Sequence, residues 1–152
     1  MNDSAVATCQ RLSSLGQDFG IAVSTAIRSG NESDVRKARD AYNGLGGEID
    51  KAIADVGRWN TAGLEGAEEF KSVLTRFYQG QKSMQENNLK AVVEALENKG
   101  LSQEQRMKEI QKALLSATAK EQQDLGALQA AQKSFTGKHG VKQQATGGGA
   151  AE

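Results

Sequence analysis

The sequence predicts an all-α protein folded as an antiparallel up-down-up-down four-helix bundle. The chain of 152 residues contains no proline, whereas average usage would give about seven or eight. Because proline breaks helix interiors, its absence fits a chain made of long helices. Apolar residues also recur at alternating spacings of three and four, the repeat of packed helices. Short connections between such helices make neighbours antiparallel. The alternative architecture is an open pair of helical hairpins that closes only by dimerising.

The first predicted helix runs from about Asp3 to Ser29. Gly30 suits the left-handed position that follows a helix C-terminus. Asn31 or Ser33 can then cap the next helix, because their side-chain oxygens accept from free backbone N–H groups. The stripe expected to be buried in this first helix consists of Ala5, Cys9, Leu12, Gly16, Phe19, Val23 and Ala26.

The second predicted helix has the most regular pattern. Its glycines at positions 44, 46 and 47 lower the helix propensity without changing the phase of the stripe. The sequence therefore predicts one continuous helix, followed by a connection over residues 57–66, which hold three glycines. The stripe consists of Val35, Ala38, Tyr42, Leu45, Ile49, Ala52, Val56 and Trp59.

The third and fourth predicted helices form a second hairpin. The third begins near residues 64–67 and ends at Gly100. Ser102 and Gln105 have the spacing of a capping box, which begins the fourth helix, and Gly137 ends it. The stripe of the third helix is Phe70, Leu74, Phe77, Gln81, Met84, Asn88, Val92 and Leu96. That of the fourth is Met107, Ile110, Leu114, Ala117, Glu121, Leu125, Leu128, Ala131 and Phe135. Residues 1–137 are thus predicted to form the bundle, and residues 138–152 a disordered Gly/Gln/Ala tail.

Seven helical glycines are predicted to share one height of the bundle, which we call the waist. Glycine inside a helix costs roughly 0.5–1 kcal/mol relative to alanine, so close helix contact, a pocket or flexibility should compensate. The glycines are Gly16, Gly20, Gly44, Gly46, Gly47, Gly80 and Gly126. Aromatic and polar residues at the same height could line a small ligand pocket. The candidate pocket residues are Phe19, Tyr42, Phe77, Gln81 and Glu121.

Unequal helix lengths predict that the second hairpin overhangs the first by about seven to nine residues, roughly 10–14 Å. Apolar residues on such a protruding tip would offer a contact surface for a partner. The candidate partner-binding residues are Val93, Leu96, Leu101 and Met107. Alternatively, these four side chains close the end of the bundle against each other.

The residue inventory argues against an enzyme, a metal site or a bound cofactor. The chain has one histidine, His139, and one cysteine, Cys9. Structural zinc needs four Cys or His ligands, a di-metal bundle needs Glu-x-x-His on two helices, and a catalytic triad needs a positioned histidine. We therefore expect a non-enzymatic protein with no metal and no cofactor.

Charge and hydropathy narrow the expected partners. The chain has 19 Lys+Arg and 19 Asp+Glu, without the basic stripe that nucleic-acid binding requires. It has no apolar run long enough to cross a membrane and no visible export signal. We expect a protein that acts through protein–protein contact or self-association, at the helix 3/4 tip. The alternative is a ligand-binding or sensory bundle that uses the waist. As written the chain would be cytoplasmic, or periplasmic if a signal peptide had been removed.

Overall fold

The computed structural model describes residues 1–139, which fold into helices and the connections between them. The elements are α1 (Asn2–Ser29), α2 (Glu32–Gly57), α3 (Ala67–Met84), a π-helical segment (Gln85–Leu89), α4 (Lys90–Glu97) and α5 (Gln103–Lys138). Because α3, the π-helical segment and α4 follow one another without a break, we refer to them together as the third rod. The predicted all-α class and the count of four helical rods are confirmed within these residues. Most of the predicted tail, residues 140–152, lies outside the described part of the chain.

The helix ends follow the local sequence signals. Gly30 adopts a left-handed conformation with φ 63° after α1, where a residue with a Cβ would be strained. The side chain of Asn31 accepts from the backbone N–H of Asp34 at 2.8 Å and caps α2. Ser102 and Gln105 form the predicted capping box at the start of α5. The predicted continuity of α2 through its glycines is also confirmed.

The π-helical segment was not predicted, and it changes which residues of the third rod are buried. A π-helical turn holds more residues than an α-helical one, so it shifts the stripe that follows. The buried positions therefore pass from Met84 and Gln85 to Leu89, and the predicted position Asn88 is only half-buried. The shift places an apolar leucine in the core where the α-helical period would have placed a polar amide.

Contacts between the rods are those of antiparallel neighbours. Between α2 and the third rod, ion pairs join Asp50 to Lys82 and Arg39 to Glu97, so numbers rise along one rod as they fall along the other. α3 and α5 are related in the same way, with the rings of Phe70 and Phe135 stacked 4.9 Å apart at one end. α1 and α2 are joined by the short link at Gly30 and by an ion pair of 2.8 Å between Arg11 and Glu48.

The register between α2 and α3 differs from the expected one and removes the predicted overhang. A turn centred on Ala62 would place Asp50 beside Leu74, but the structure places it beside Lys82, eight residues further along. The reason is the connection over residues 58–66. It takes up length along the bundle axis between Gly57 and Ala67, and this shifts α3 relative to α2. The end of α4 is consequently level with the start of α2, where Lys99 pairs with Glu32.

An aromatic column closes the opposite end of the bundle. The indole of Trp59, in the connection, stacks on Phe70 with ring centroids 6.4 Å apart, and Phe70 stacks on Phe135. Phe135 in turn contacts the ring of His139, whose Nε2 lies 2.8 Å from the carbonyl oxygen of Glu65. His139 was expected in the tail, but the structure places its exposed ring against Phe135, because α5 continues through Gly137 to Lys138.

The glycines of the predicted waist fall into two groups that play different roles. Gly46 faces the third rod, where an added Cβ would lie 2.7 Å from the Nε2 atom of Gln85. Gly80 faces α5, where an added Cβ would lie 3.1 Å from Cγ of Asp124 and closer still to one of its carboxylate oxygens. Each of these glycines leaves a notch that a polar side chain fills. A Cβ at any of the other five would meet no atom within 4 Å; these are Gly16, Gly20, Gly44, Gly47 and Gly126.

The waist is therefore packed at the two notches, and an alanine at position 80 would meet the carboxylate of Asp124. We expect Gly80→Ala to raise the free energy of unfolding by less than Gly16→Ala does, because the carboxylate of Asp124 must turn away from the new methyl group and this offsets part of the gain in helix propensity. Gly16→Ala, which meets nothing, should raise the free energy of unfolding by about 0.5–1 kcal/mol. Urea unfolding followed by Trp59 fluorescence measures both changes.

The double variant Gly80→Ala/Asp124→Ala is the control for this prediction. Removing the carboxylate makes room for the new methyl group, so in the Asp124→Ala background Gly80→Ala should give the full gain in helix propensity. Equal stabilisation by Gly80→Ala and Gly16→Ala would show that Asp124 does not depend on the notch.

Candidate functional site

The predicted tip residues do not form one surface. Val93 and Leu96 are buried in the core, Leu101 is half-buried, and only Met107 is exposed. Because α4 ends level with the start of α2, Val93 and Leu96 are covered by the first hairpin instead of protruding beyond it. These two side chains are therefore not available to a partner. The prediction that they form a contact surface at a protruding tip is wrong, because this end of the bundle is closed by its own core.

The predicted pocket residues are spread along the bundle. Phe19, Phe77 and Gln81 are buried, whereas Tyr42 is half-buried and Glu121 is exposed. Tyr42 lies beneath the guanidinium of Arg39, which is 5.8 Å from the centre of its ring. Of these five residues, Phe19 alone lines the surface groove that lies between α1 and α5.

A different feature stands out on α5, which buries only one edge of its predicted stripe. The buried positions of that stripe are Ile110, Ala117, Leu128 and Phe135. The remaining large apolar positions, Met107, Leu114 and Leu125, are 43%, 38% and 40% exposed. At 100° per residue these three fall within 20° of one another on the helix, so they form a continuous line. We call this line, together with Gln111 and Thr118 between its members, the α5 stripe.

The α5 stripe borders a groove between α1 and α5, which we call the α1/α5 groove. It has a volume of about 630 Å³. The α1 wall carries the apolar side chains of Phe19, Ile21, Val23 and Ile27, and Leu114 supplies the opposite wall. The remaining lining residues are Gln17, Gly20, Ser24 and Arg28. Ile21, which lines the groove, and Leu115, which follows Leu114 on α5, are 65% and 66% exposed, more than any other large apolar side chain of residues 1–139.

The groove exists because α1 and α5 approach each other mainly at one end. There, the side-chain amide of Gln132 donates to Oδ1 of Asn2 at 3.0 Å. α1 instead packs along α2, and α5 packs along the third rod. The fourth side of the bundle is therefore incompletely closed beside Leu114, and that side carries most of the exposed large apolar side chains.

Sequence reasoning placed Leu114 in the buried stripe, although one signal could have revealed the exposure. Leu114 and Leu115 are adjacent and therefore point about 100° apart on a helix. The apolar surface of α5 at this level is therefore wider than a single buried stripe, so part of it can be left exposed. The polar residue Glu121 in the same stripe is a second sign that this side of α5 has no apolar partner within the bundle.

A buried polar contact connects α1 to the third rod. The Sγ atom of Cys9 lies 3.9 Å from the hydroxyl of Tyr78, which is fully buried. Thr8, which precedes Cys9, accepts a hydrogen bond of 3.0 Å on its hydroxyl from the guanidinium of Arg11. Burial raises the pKa of the Cys9 thiol, and the hydrogen bond to Tyr78 opposes this only in part. Burial, and then the neighbouring Cys9, also raises the pKa of Tyr78.

Comparison of the chain with protein-family models, curated proteins and solved structures gives no significant match in any of the three. Within residues 1–139, no helix is both long and apolar enough to span a membrane. The same residues contain no group of three or more His, Cys, Asp or Glu side chains positioned to hold a metal ion.

The Cys9–Tyr78 contact predicts a loss of stability at alkaline pH. In the unfolded chain the thiol and the phenol ionise near their ordinary pKa values of 9.0 and 10.0, whereas burial keeps both protonated in the folded protein. Raising the pH above about 9 therefore removes protons from the unfolded state first, and the free energy of unfolding falls. Below that pH this contribution is fully present.

Tyr78→Phe is the matched variant, because it keeps the ring and removes the hydroxyl. The slope of the free energy of unfolding between pH 9 and 11 should be smaller for this variant than for the original chain. Urea unfolding at several pH values measures the slope, and identical slopes would contradict the assignment.

Proposed function

We propose that this protein is a non-enzymatic helical bundle that acts through protein–protein contact, and that the contact surface is the α5 stripe with the α1/α5 groove. The observation that carries the proposal is the concentration of exposed large apolar side chains on one side of the molecule. The largest exposed apolar patch of a protein is often an interaction site.

The chemistry of the buried groups supports a non-enzymatic role. A nucleophilic cysteine needs a lowered pKa so that thiolate is present at neutral pH. Burial shifts the pKa of Cys9 in the opposite direction, and Tyr78 beside it is likewise held in its neutral form. These groups are suited to packing, since each meets the other inside the core.

The positions of the waist residues favour this proposal over the ligand-binding alternative. A ligand pocket would require Phe19, Phe77 and Glu121 to converge on one space, but Glu121 points to solvent while the other two are buried. The notches at the two waist glycines that face other rods are filled by the side chains of Gln85 and Asp124. The groove beside Leu114, in contrast, is open and has apolar side chains on both walls.

Site-specific photo-crosslinking tests the proposed surface. A benzophenone side chain in place of Leu115, the exposed residue next to Leu114 on α5, should give discrete protein adducts in cells that produce the chain. The same group in place of Ala54, which is exposed on α2, is the control and should give none. Absence of protein adducts at position 115, or equal adducts at both positions, would contradict the proposal.

A further inference from the structure

Within residues 1–139, α5 has the fewest buried side chains for its length of any helix. Five of its 36 residues are buried, against seven of 18 in α3. Three of the five lie in its last eleven residues, which leaves Ile110 and Ala117 as the buried side chains of residues 103–125. We propose that residues 103–125 release from the bundle as a unit while α1, α2 and the third rod stay folded, so that the protein alternates between a closed and an open form.

Polar contacts hold the two ends of α5 but not the part between them. At the N-terminal end, the guanidinium of Arg106 donates to the carbonyl oxygen of Asn98 at 3.2 Å. At the C-terminal end, Gln132 donates to Asn2 at 3.0 Å. Within the described part of the chain, the polar contacts of residues 107–131 stay inside α5, and none of them reaches another helix. Closure of this part therefore depends on the packing of a small number of apolar side chains.

The closed position of α5 also buries two polar atoms that have no hydrogen-bond partner. Among residues 1–139, the buried side-chain atoms in this condition are Nε of Arg106 and Oδ2 of Asp124, both on α5. Oδ2 of Asp124 lies against Gly80, and the ammonium of Lys120, on the same helix, is 3.4 Å from it. A buried polar atom without a hydrogen bond has lost its contact with water and gained no partner in return. Release returns both atoms to water, so their burial favours the open form.

Release changes the apolar surface that the protein presents. At 100° per residue, Ile110 and Ala117 lie about 60° and 80° around α5 from Met107, on the same side as Leu114. In the closed form both are buried, and only the α5 stripe beside them is exposed. In the open form they join the α5 stripe in one wider apolar face, and the surface of the third rod around Gly80 is uncovered. The inference goes beyond the proposed function, because release takes place in the chain alone, without a partner.

Labelling of engineered thiols in the folded full chain tests the release, in a Cys9→Ala background that removes the native thiol. Ala117→Cys places a thiol at a buried position of α5, and Ala52→Cys places one at a buried position of α2 as the matched control. An aromatic disulfide reagent should modify position 117 at least about tenfold faster than position 52. Low urea concentrations should accelerate this reaction only slightly, because local release exposes less surface than global unfolding. Equal rates, or a rate at position 117 that follows global unfolding, would overturn the inference.

A disulfide between α5 and α3 tests whether this part of the helix moves away from the third rod. An added Cβ at Gly80 would lie 3.1 Å from Cγ of Asp124, so Gly80→Cys/Asp124→Cys brings the two Cβ atoms close to the separation of about 3.5–4.5 Å found in disulfides. Hydrogen exchange of the oxidised and reduced forms of this variant, in the Cys9→Ala background, is then compared by mass spectrometry. Oxidation should slow exchange of residues 107–124 by at least about tenfold, and that of α2 by much less. Unchanged exchange in α5, or equal slowing in both helices, would contradict the release.

Hydrogen exchange of the original chain needs no substitution, and it decides the case if a cysteine variant fails to fold as judged by circular dichroism. Residues 107–124 should exchange at least about tenfold faster than the centres of α2 and α3, and equal protection of the three helices would overturn the inference. The outcome is distinct from that of the cross-linking at Leu115. Fast exchange without protein adducts there would overturn the proposed function alone, and adducts with equal protection would overturn the release alone.

Discussion

The register between the two hairpins depends on how the connection over residues 58–66 is held. The ammonium of Lys71 donates to the carbonyl oxygens of Gly57 at 3.1 Å and Trp59 at 2.9 Å, which lie at the C-terminal end of α2. A cation at this end of a helix satisfies carbonyls that have no partner within the helix and favours the helix dipole. Trp59 stacks on Phe70 beside this contact, so the connection is fixed to α3 by polar and apolar interactions together.

This register determines which side chains meet across the bundle. It places Gln85, and not Gly80, in the notch at Gly46. The notches at Gly46 and Gly80 therefore lie at different heights of the bundle. It also brings the end of α4 level with the start of α2, so that Val93 and Leu96 are covered. A shift of eight residues along a helix corresponds to about 12 Å, which is enough to convert a protruding apolar tip into core.

The open side of the bundle is the other consequence of this packing. α5 follows α3 closely, with Phe135 on Phe70 and Asp124 at Gly80, and its buried edge is set by that contact. The adjacent α5 stripe then has no partner within the bundle except where α1 approaches near Asn2. An apolar surface that the fold leaves uncovered favours association, because burying it removes its contact with water. Protein–protein contact is thus proposed on the incompletely closed side between α1 and α5.

The sequence by itself determined the local structure of this protein. Capping at Asn31, the box of Ser102 with Gln105, the left-handed Gly30 and the continuity of α2 are decided by interactions within a few residues, so local patterns are sufficient to predict them. Only the tertiary structure decided the heights at which helices meet, because these depend on the shape of a nine-residue connection and on a π-helical turn, and neither has a reliable sequence signal. The candidate surface, too, was predictable in its local part and not in its tertiary part. Leu114 and Met107 were recognisable as apolar stripe positions, but whether α1 would cover them depended on how α1 and α5 pack against the rest of the bundle.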